Sequence, residues 1–165
     1  MGYIDSSGMY IPTSLEQTIP QAGGEYKDYG DLREIEVRIT DLSALPSAAA
    51  VIPGGDNIFI PEGMTIEEVT VVADVAATGT GATLNFGTVR TDRSTEIDFN
   101  GLLAAAPLAN MSSTGQRTVY TKGVSGAGAL VGTVTGSNVG LLVAWYGTAF
   151  TAGAVTIRIK YRKIV

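Results

Sequence analysis

Residues 154–163 have the sequence AVTIRIKYRK, in which apolar and polar side chains alternate. Successive side chains of a β-strand point to opposite faces of the sheet, so a period of two predicts a half-buried strand. The apolar positions that would face the core are Val155, Ile157, Ile159 and Tyr161. The positions on the other face are Thr156, Arg158, Lys160 and Arg162.

Further strands are predicted upstream of this one, each bounded by Gly, Pro or Ser. They cover residues 33–39, 58–60, 65–76, 82–89, 95–99, 117–122, 129–135 and 139–146. We expect residues 65–76 and 82–89 to pair as a hairpin through the loop at 77–81. Residues 53–56 (PGGD) should form a turn. Residues 42–50 should form a short helical turn or a loop, and residues 102–109 a helical turn interrupted by Pro107.

Short strands at this spacing with almost no helix predict an all-β fold, an antiparallel β-sandwich of jelly-roll-like type with an extended N-terminal arm. The strand at 139–146 is apolar on both faces, so we place it centrally in a sheet, with Trp145 in the core. The domains expected are the arm at 1–32 and the sandwich at 33–165.

The composition excludes several classes of function. The 165 residues include no Cys and no His, so there is no disulfide framework, thiol nucleophile, Ser–His triad or imidazole metal site. The formal net charge of −5 argues against nucleic acid as a partner. We predict neither a signal peptide at residues 1–14 nor a membrane-spanning segment.

The charges are unevenly distributed along the chain. Residues 1–98 carry all 16 acids and five of the 11 bases, whereas residues 99–165 carry six bases and no acid. In an antiparallel sandwich the two halves interleave, so part of this split should cancel across strands. The remainder would leave an acidic face and a basic edge.

The predicted arm is rich in Gly and Pro, which prevents a regular helix. It also contains aromatic residues, which are scarce in fully disordered segments. We therefore predict an extended arm that lies on another protein surface; a disordered leader is the alternative. Its candidate contact residues are Tyr3, Ile4, Tyr10, Ile11, Tyr26 and Tyr29.

One group of acidic residues is a candidate for two kinds of chemistry. Glu96 and Asp98 would lie on one face of a strand, as paired carboxylates for acid–base catalysis. An exposed acidic strand face is the commoner explanation. With Asp92 and Asn100 they faintly resemble a calcium loop, but they lack its ligand spacing, and a simple turn explains them. We predict no catalytic residue, no metal and no cofactor.

The bases on the last strand, Arg158, Lys160 and Arg162, have two interpretations. They pair across strands with Glu34 and Glu36, or they face an acidic patch on a neighbouring subunit. The sequence leaves both open.

Three segments together resemble small virion proteins of tailed bacteriophages. They are IPEGMTIEEVTVVADVAATGTGATLNFGTV (60–89), GLLAAAPLA (101–109) and AGAVTIRIKYRKI (152–164). The resemblance covers roughly residues 58–165. It implies a non-enzymatic capsid decoration, cement or head-fibre protein that binds the outside of a phage shell and is assembled in the host cytoplasm.

The partners that this family implies are the major capsid protein and further copies of the chain, as a trimer or dimer. A glycan- or receptor-binding β-sandwich at a fibre tip is the alternative function.

Overall fold

The computed structural model of this chain describes residues 3–4, 10–11, 32–52 and 58–163. The chain divides into two units, Met1–Arg33 and Glu34–Val165. Near the N-terminus, β1 (Tyr3–Ile4) and β2 (Tyr10–Ile11) pair antiparallel. Most of the predicted arm lies outside the described residues, so its extended conformation and its boundary at residue 33 stay predictions.

Nine further strands form two antiparallel sheets in the described residues from position 32 onward. In chain order they are β3 (Leu32–Ile39), β4 (Ala50–Val51), β5 (Phe59–Ile60), β6 (Met64–Thr78), β7 (Thr83–Val89), β8 (Glu96–Pro107), β9 (Arg117–Tyr120), β10 (Gly140–Thr148) and β11 (Ala152–Lys163). Sheet I has the order β3-β11-β6-β9, and sheet II has the order β4-β10-β7-β8, with β5 also beside β10. None of the helical turns described is long and apolar enough to cross a bilayer.

The strand order is that of a jelly roll. Because β4 and β5 both pair with β10, they act as one interrupted strand. Counted in this way, the two sheets contain eight strands. The first pairs with the eighth (β3 with β11) and the second with the seventh (β4/β5 with β10). The third pairs with the sixth (β6 with β9) and the fourth with the fifth (β7 with β8). This is the pairing of a long antiparallel ribbon folded at its middle and rolled into two layers. The predicted fold class is confirmed.

The core lies between the two sheets, and β11 shows the alternation predicted for it. Val155, Ile157 and Ile159 are fully buried, while Arg158 and Lys160 are half-buried on the opposite face. Inward residues of sheet II complete the same cluster, among them Leu84, Phe86, Leu103, Leu142 and Ala144. β10 lies between β4/β5 and β7, which confirms the central position predicted for residues 139–146.

The predicted hairpin of residues 65–76 and 82–89 is wrong, although both strands exist. β6 belongs to sheet I and has β11 and β9 on its two edges; β7 belongs to sheet II and has β10 and β8. Neither strand has a free edge for the other. The loop between them, with Gly81 at φ +64°, instead takes the chain from one sheet to the other.

The helical turn predicted at 102–109 is also wrong for most of its length. Residues 102–107 belong to β8, where Leu103 lies opposite Phe86 and Ala106 opposite Leu84. Helix propensity is worth only tenths of a kcal/mol per residue, so pairing and burial outweigh the preference of Ala and Leu. A 3₁₀ turn, Leu108–Asn110, follows only after Pro107.

The strand predicted at 129–135 does not form. Val131 and Val134 make isolated bridges to Ile66 and Thr65, and Gly132 has φ +76°, which interrupts a regular strand. The segment is held along β6 by isolated hydrogen bonds, such as the one from Gly132 N to the Ile66 carbonyl at 2.7 Å.

The remaining local predictions concern the connection from β3 to β6. A 3₁₀ turn at Leu42–Ala44 confirms the short helical turn expected within residues 42–50, and the Asp41 side chain caps it by accepting from Ser43 N at 2.9 Å. The strand expected at 58–60 is β5. The predicted turn at 53–56 lies outside the described residues.

Candidate interaction surface

The outer face of sheet I carries the basic residues of β11 in a row of ion pairs. Arg158 Nε donates to Glu36 Oε2 of β3 at 2.9 Å. On the other side of β11, Lys160 Nζ lies 3.0 Å from Glu68 and Arg162 Nε 2.8 Å from Glu67. β11 is thus flanked by acidic residues on both sides, because it lies between β3 and β6.

A β-bulge supplies two of these acids. Lys160 lies opposite Glu68 and Tyr161 opposite Ile66, so Glu67 is the extra residue of β6 and has no partner in the ladder. Consecutive side chains of a regular strand point to opposite faces, but a bulge relaxes that rule. Glu67 and Glu68 therefore both reach the bases of β11.

Arg158 is stabilised in its charged form by the acidic residues around it. The hydrogen bond from Arg158 to Glu36, and then the charge of that carboxylate, raise the pKa of Arg158, with smaller contributions from Glu34 and Asp74. On the same face, Thr156 Oγ1 donates to Asp74 at 2.6 Å. Three of the six bases of residues 99–165 thus face acids of residues 1–98, so part of the charge split cancels here.

The three bases therefore have partners within their own chain. The predicted pairing of Arg158 with Glu36 is found, whereas Lys160 and Arg162 take Glu68 and Glu67, which sequence reasoning missed. The signal was available: Ile66 and Val69 are three positions apart, which departs from the period of two and indicates a bulge.

A cleft of about 490 Å³ lies between the end of β3 and the edge strand β4. Its apolar wall includes Ile39, Leu45 and Ile52, with Arg38 and Asp41 also in the lining. None of the described lining residues is aromatic, so the cleft lacks the stacking platform typical of sugar sites.

Trp145 serves an internal contact. It is half-buried on β10, and its Nε1 donates to the Phe99 carbonyl at 3.1 Å. Beside it on the outer side of sheet II, Leu141, Val143 and Val89 form a small second core that Phe99 helps to cover. The core position predicted for Trp145 is therefore wrong: the side chain belongs to neither buried cluster and lies half-buried on the outer side of sheet II.

The acidic residues near 92–100 accept hydrogen bonds from nearby backbone amides. Asp92 accepts from the amides of Ser94 and Thr95 at 2.9 and 2.8 Å and from the Thr95 hydroxyl. These bonds, the Thr95 hydroxyl foremost, lower the pKa of Asp92 to about 2.

Glu96 and Asp98 have similar local roles. Glu96 accepts from the Phe99 amide at 3.2 Å and Asp98 from the Asn100 amide at 3.3 Å. Across the part of the chain that the structure describes, no three acidic side chains come together as a metal site would require.

The arm residues predicted to make contacts are described only in part. Tyr3 lies opposite Ile11, and Ile4 opposite Tyr10, in the β1–β2 ladder. Tyr26 and Tyr29 lie outside the described residues. Contact with another protein stays a prediction for all six.

Comparison with known proteins places the fold among phage capsids. No family model and no curated protein sequence matches the chain. The capsid of Ralstonia phage GP4 contains a chain that is 16% identical, with a TM-score of 0.55 over 93% of this chain and 94% of that one.

Two more capsids contain similar chains. The cyanophage Pam1 capsid asymmetric unit gives 15% identity and a TM-score of 0.52, over 92% of this chain and 96% of that one. The acid-stable capsid of Helicobacter pylori bacteriophage KHP30 gives 13% identity and a TM-score of 0.51, over 80% and 87%. This chain therefore shares its fold with chains of phage capsids that are themselves about its own length.

Proposed function

We propose that this chain is a non-enzymatic structural protein of a phage virion that decorates or cements the outside of the capsid shell. The observation that carries the proposal is the jelly-roll fold, shared over 80–93% of this chain with chains of three phage capsids. Its place would be the capsid surface, after assembly in the host cytoplasm, and its main partner the major capsid protein.

The small size of the matched chains supports decoration over another role in the shell. A single two-layer sandwich can contact a shell through its two outer faces, its sheet edges and its termini. A cement protein would use such surfaces in contacts of roughly 1,200–2,000 Å² each, which the symmetry of the shell then multiplies.

The arm is the proposed contact with the shell, through the residues already named: Tyr3, Ile4, Tyr10, Ile11, Tyr26 and Tyr29. Aromatic side chains contribute large contact areas at low cost in conformational entropy. Arg158, Lys160 and Arg162 have weaker support as contacts, because each already pairs with an acid of its own chain.

The test is binding to undecorated shells made from the major capsid protein of the same genome, measured by co-sedimentation. Deletion of residues 1–30 should abolish binding while circular dichroism still shows a folded β protein. A full-length variant with Tyr3, Tyr10, Tyr26 and Tyr29 changed to Ser should bind at least about tenfold more weakly. Unchanged binding by both variants would disprove the role of the arm, and no binding by the full chain would disprove decoration.

The glycan- or receptor-binding alternative has less support. The indole N–H of Trp145 donates to the Phe99 carbonyl, and the cleft beside β4 has an aliphatic wall. Glu96 and Asp98, the acids considered for catalysis, both accept hydrogen bonds from backbone amides of their own strand, β8.

A further inference from the structure

The β3 strand is the longest sheet edge without a partner in the described part of the chain. It has eight residues and pairs with β11 on one side only. The other edges are shorter or covered: β4 and β5 have two residues each, and β9 has four. Residues 126–130 cover the middle of β8, residues 101–104, through hydrogen bonds such as Leu130 N to the Gly101 carbonyl at 2.8 Å, so that the stretches left on either side are shorter than β3.

An uncovered edge of this length is a template for another strand, because its backbone N–H and C=O groups are available in a row. The outward row of β3 consists of Glu34, Glu36 and Arg38, and its inward row of Ile35, Val37 and Ile39. Among the described residues, Arg38 has no ion pair, and the bond from Arg158 uses only one carboxylate oxygen of Glu36.

The two rows of β3 are complementary to themselves. When two copies run antiparallel with Val37 on the two-fold axis, Glu36 of each copy lies opposite Arg38 of the other, and Ile35 lies opposite Ile39. No like charges are then opposed. Shifting the axis to Glu36 or Arg38 places two like charges directly opposite, which is unfavourable.

We propose that a second copy of this chain pairs with the free edge of β3, antiparallel and centred on Val37, which joins the two copies of sheet I into one continuous sheet. The interface is isologous, because the same strand is used by both copies. The carboxylate of Glu36 then lies between Arg158 of its own chain and Arg38 of the second copy. This inference does not depend on the proposed virion role.

Analytical ultracentrifugation of the full chain over a concentration series tests the proposal. The wild type should be a dimer, and Arg38→Glu should raise the dimer Kd at least about tenfold, since it opposes Glu36 with a like charge. Arg117→Glu, the same change on β9 at the opposite edge of the sheet, is the control and should leave the Kd unchanged. A monomeric wild type, or equal Kd values for the two variants, would overturn the proposal.

A mixing experiment tests the pairing itself. The double variant Glu36→Arg, Arg158→Glu keeps the ion pair within the chain with its charges exchanged, but it should not dimerise alone. Mixed one to one with Arg38→Glu, it should form heterodimers, because the guanidinium introduced at position 36 would then face the carboxylate introduced at position 38 of the other variant. Failure to form heterodimers from two folded variants would refute this pairing.

Cross-linking tests the register. The chain has no Cys, and Cα atoms directly opposite in an antiparallel pair lie about 4.5–5.5 Å apart, within reach of a disulfide. Mild oxidation should therefore link Val37→Cys chains into dimers but not Val119→Cys chains, which carry the thiol on β9. If the wild type is monomeric and Arg38→Glu weakens only shell binding, the edge belongs to the capsid and the proposal is wrong.

Discussion

Arg158 of β11 donates to Glu36 of β3 at 2.9 Å, and this contact joins residues 122 positions apart in the sequence. It connects the basic C-terminal part of the chain to the acidic N-terminal part. The jelly roll brings this about by placing its last strand between its first and third. Part of the uneven distribution of charge along the sequence thus becomes three local ion pairs on one face.

Reversing the charge of Arg158 should destabilise the sandwich. In Arg158→Glu the new carboxylate would face Glu36, with Glu34 and Asp74 nearby, so repulsion replaces attraction. We expect a lower urea midpoint than in the wild type, and the deficit should shrink as salt rises from about 0.05 to 0.5 M because salt screens exposed charges. The control is Arg117→Glu, for which we expect less than about 0.5 kcal/mol of change. Equal midpoints for the two variants would contradict the prediction.

Gly128 and Gly136, both in the connection between β9 and β10, should differ in how well they tolerate substitution by alanine. A Cβ at Gly128 would overlap the backbone of Asn100 and Gly101, because Gly128 N donates to the Leu102 carbonyl at 3.1 Å. We expect Gly128→Ala to lower the free energy of unfolding by about 1–3 kcal/mol or more. Gly136 has open space around its Cβ position, so Gly136→Ala should change it by less than about 1 kcal/mol. Urea titrations of both variants measure the difference, and similar losses would argue against a close approach at Gly128.

Properties that depend on residues adjacent in the sequence could be predicted. The alternation from Val155 to Tyr161 identifies the buried face of β11, because each residue's direction is set by its own position in the strand. Pairing partners are different. Hydrophobic patterning locates β6 and β7 within a few residues, but it does not reveal that they belong to different sheets.

The wrong secondary structure and the missed ion-pair partner also arise because contacts between strands are not visible in the local sequence. Ala and Leu at 102–106 favour a helix locally, yet opposite β7 they are buried in a strand. For the candidate surface, Glu36 could be predicted as a partner of Arg158. Glu67 was missed as a partner of Arg162, because strict alternation sends it to the opposite face from Glu68, and only the bulge that the spacing of Ile66 and Val69 indicates brings both acids to one face.

Trp145, the single tryptophan, separates the structural role from sugar binding. Trp145→Phe removes the bond to the Phe99 carbonyl, so we expect a loss of about 0.5–1.5 kcal/mol in the free energy of unfolding. Since the indole is engaged within the chain, mono- and oligosaccharides should leave its fluorescence unchanged, and the variant should bind shells like the wild type. Saturable quenching by a sugar, lost on competition with a second sugar, would favour the glycan-binding alternative.

Asp92 should make the stability of the turn between β7 and β8 depend on pH. Its pKa is lowered from 3.8 to about 2, mainly by the Thr95 hydroxyl, then by the amides of Thr95 and Ser94. A carboxyl whose pKa is lower in the folded state contributes its stabilisation above the unfolded value, and loses it as pH falls through the folded value. Asp92→Ala should therefore be less stable than the wild type at pH 5–7, and the difference should diminish from about pH 4 toward pH 2.

Urea titrations at several pH values, with an NMR titration of the Asp92 carboxyl carbon, measure both quantities. The NMR midpoint should lie near 2. A midpoint at the ordinary value of 3.8, or a stability difference that stays constant down to about pH 2, would contradict the bonds that Asp92 accepts in this turn. Thr95→Val offers an independent check: it removes the hydroxyl that lowers the pKa most, so the midpoint should move upward while the amide bonds keep it below 3.8.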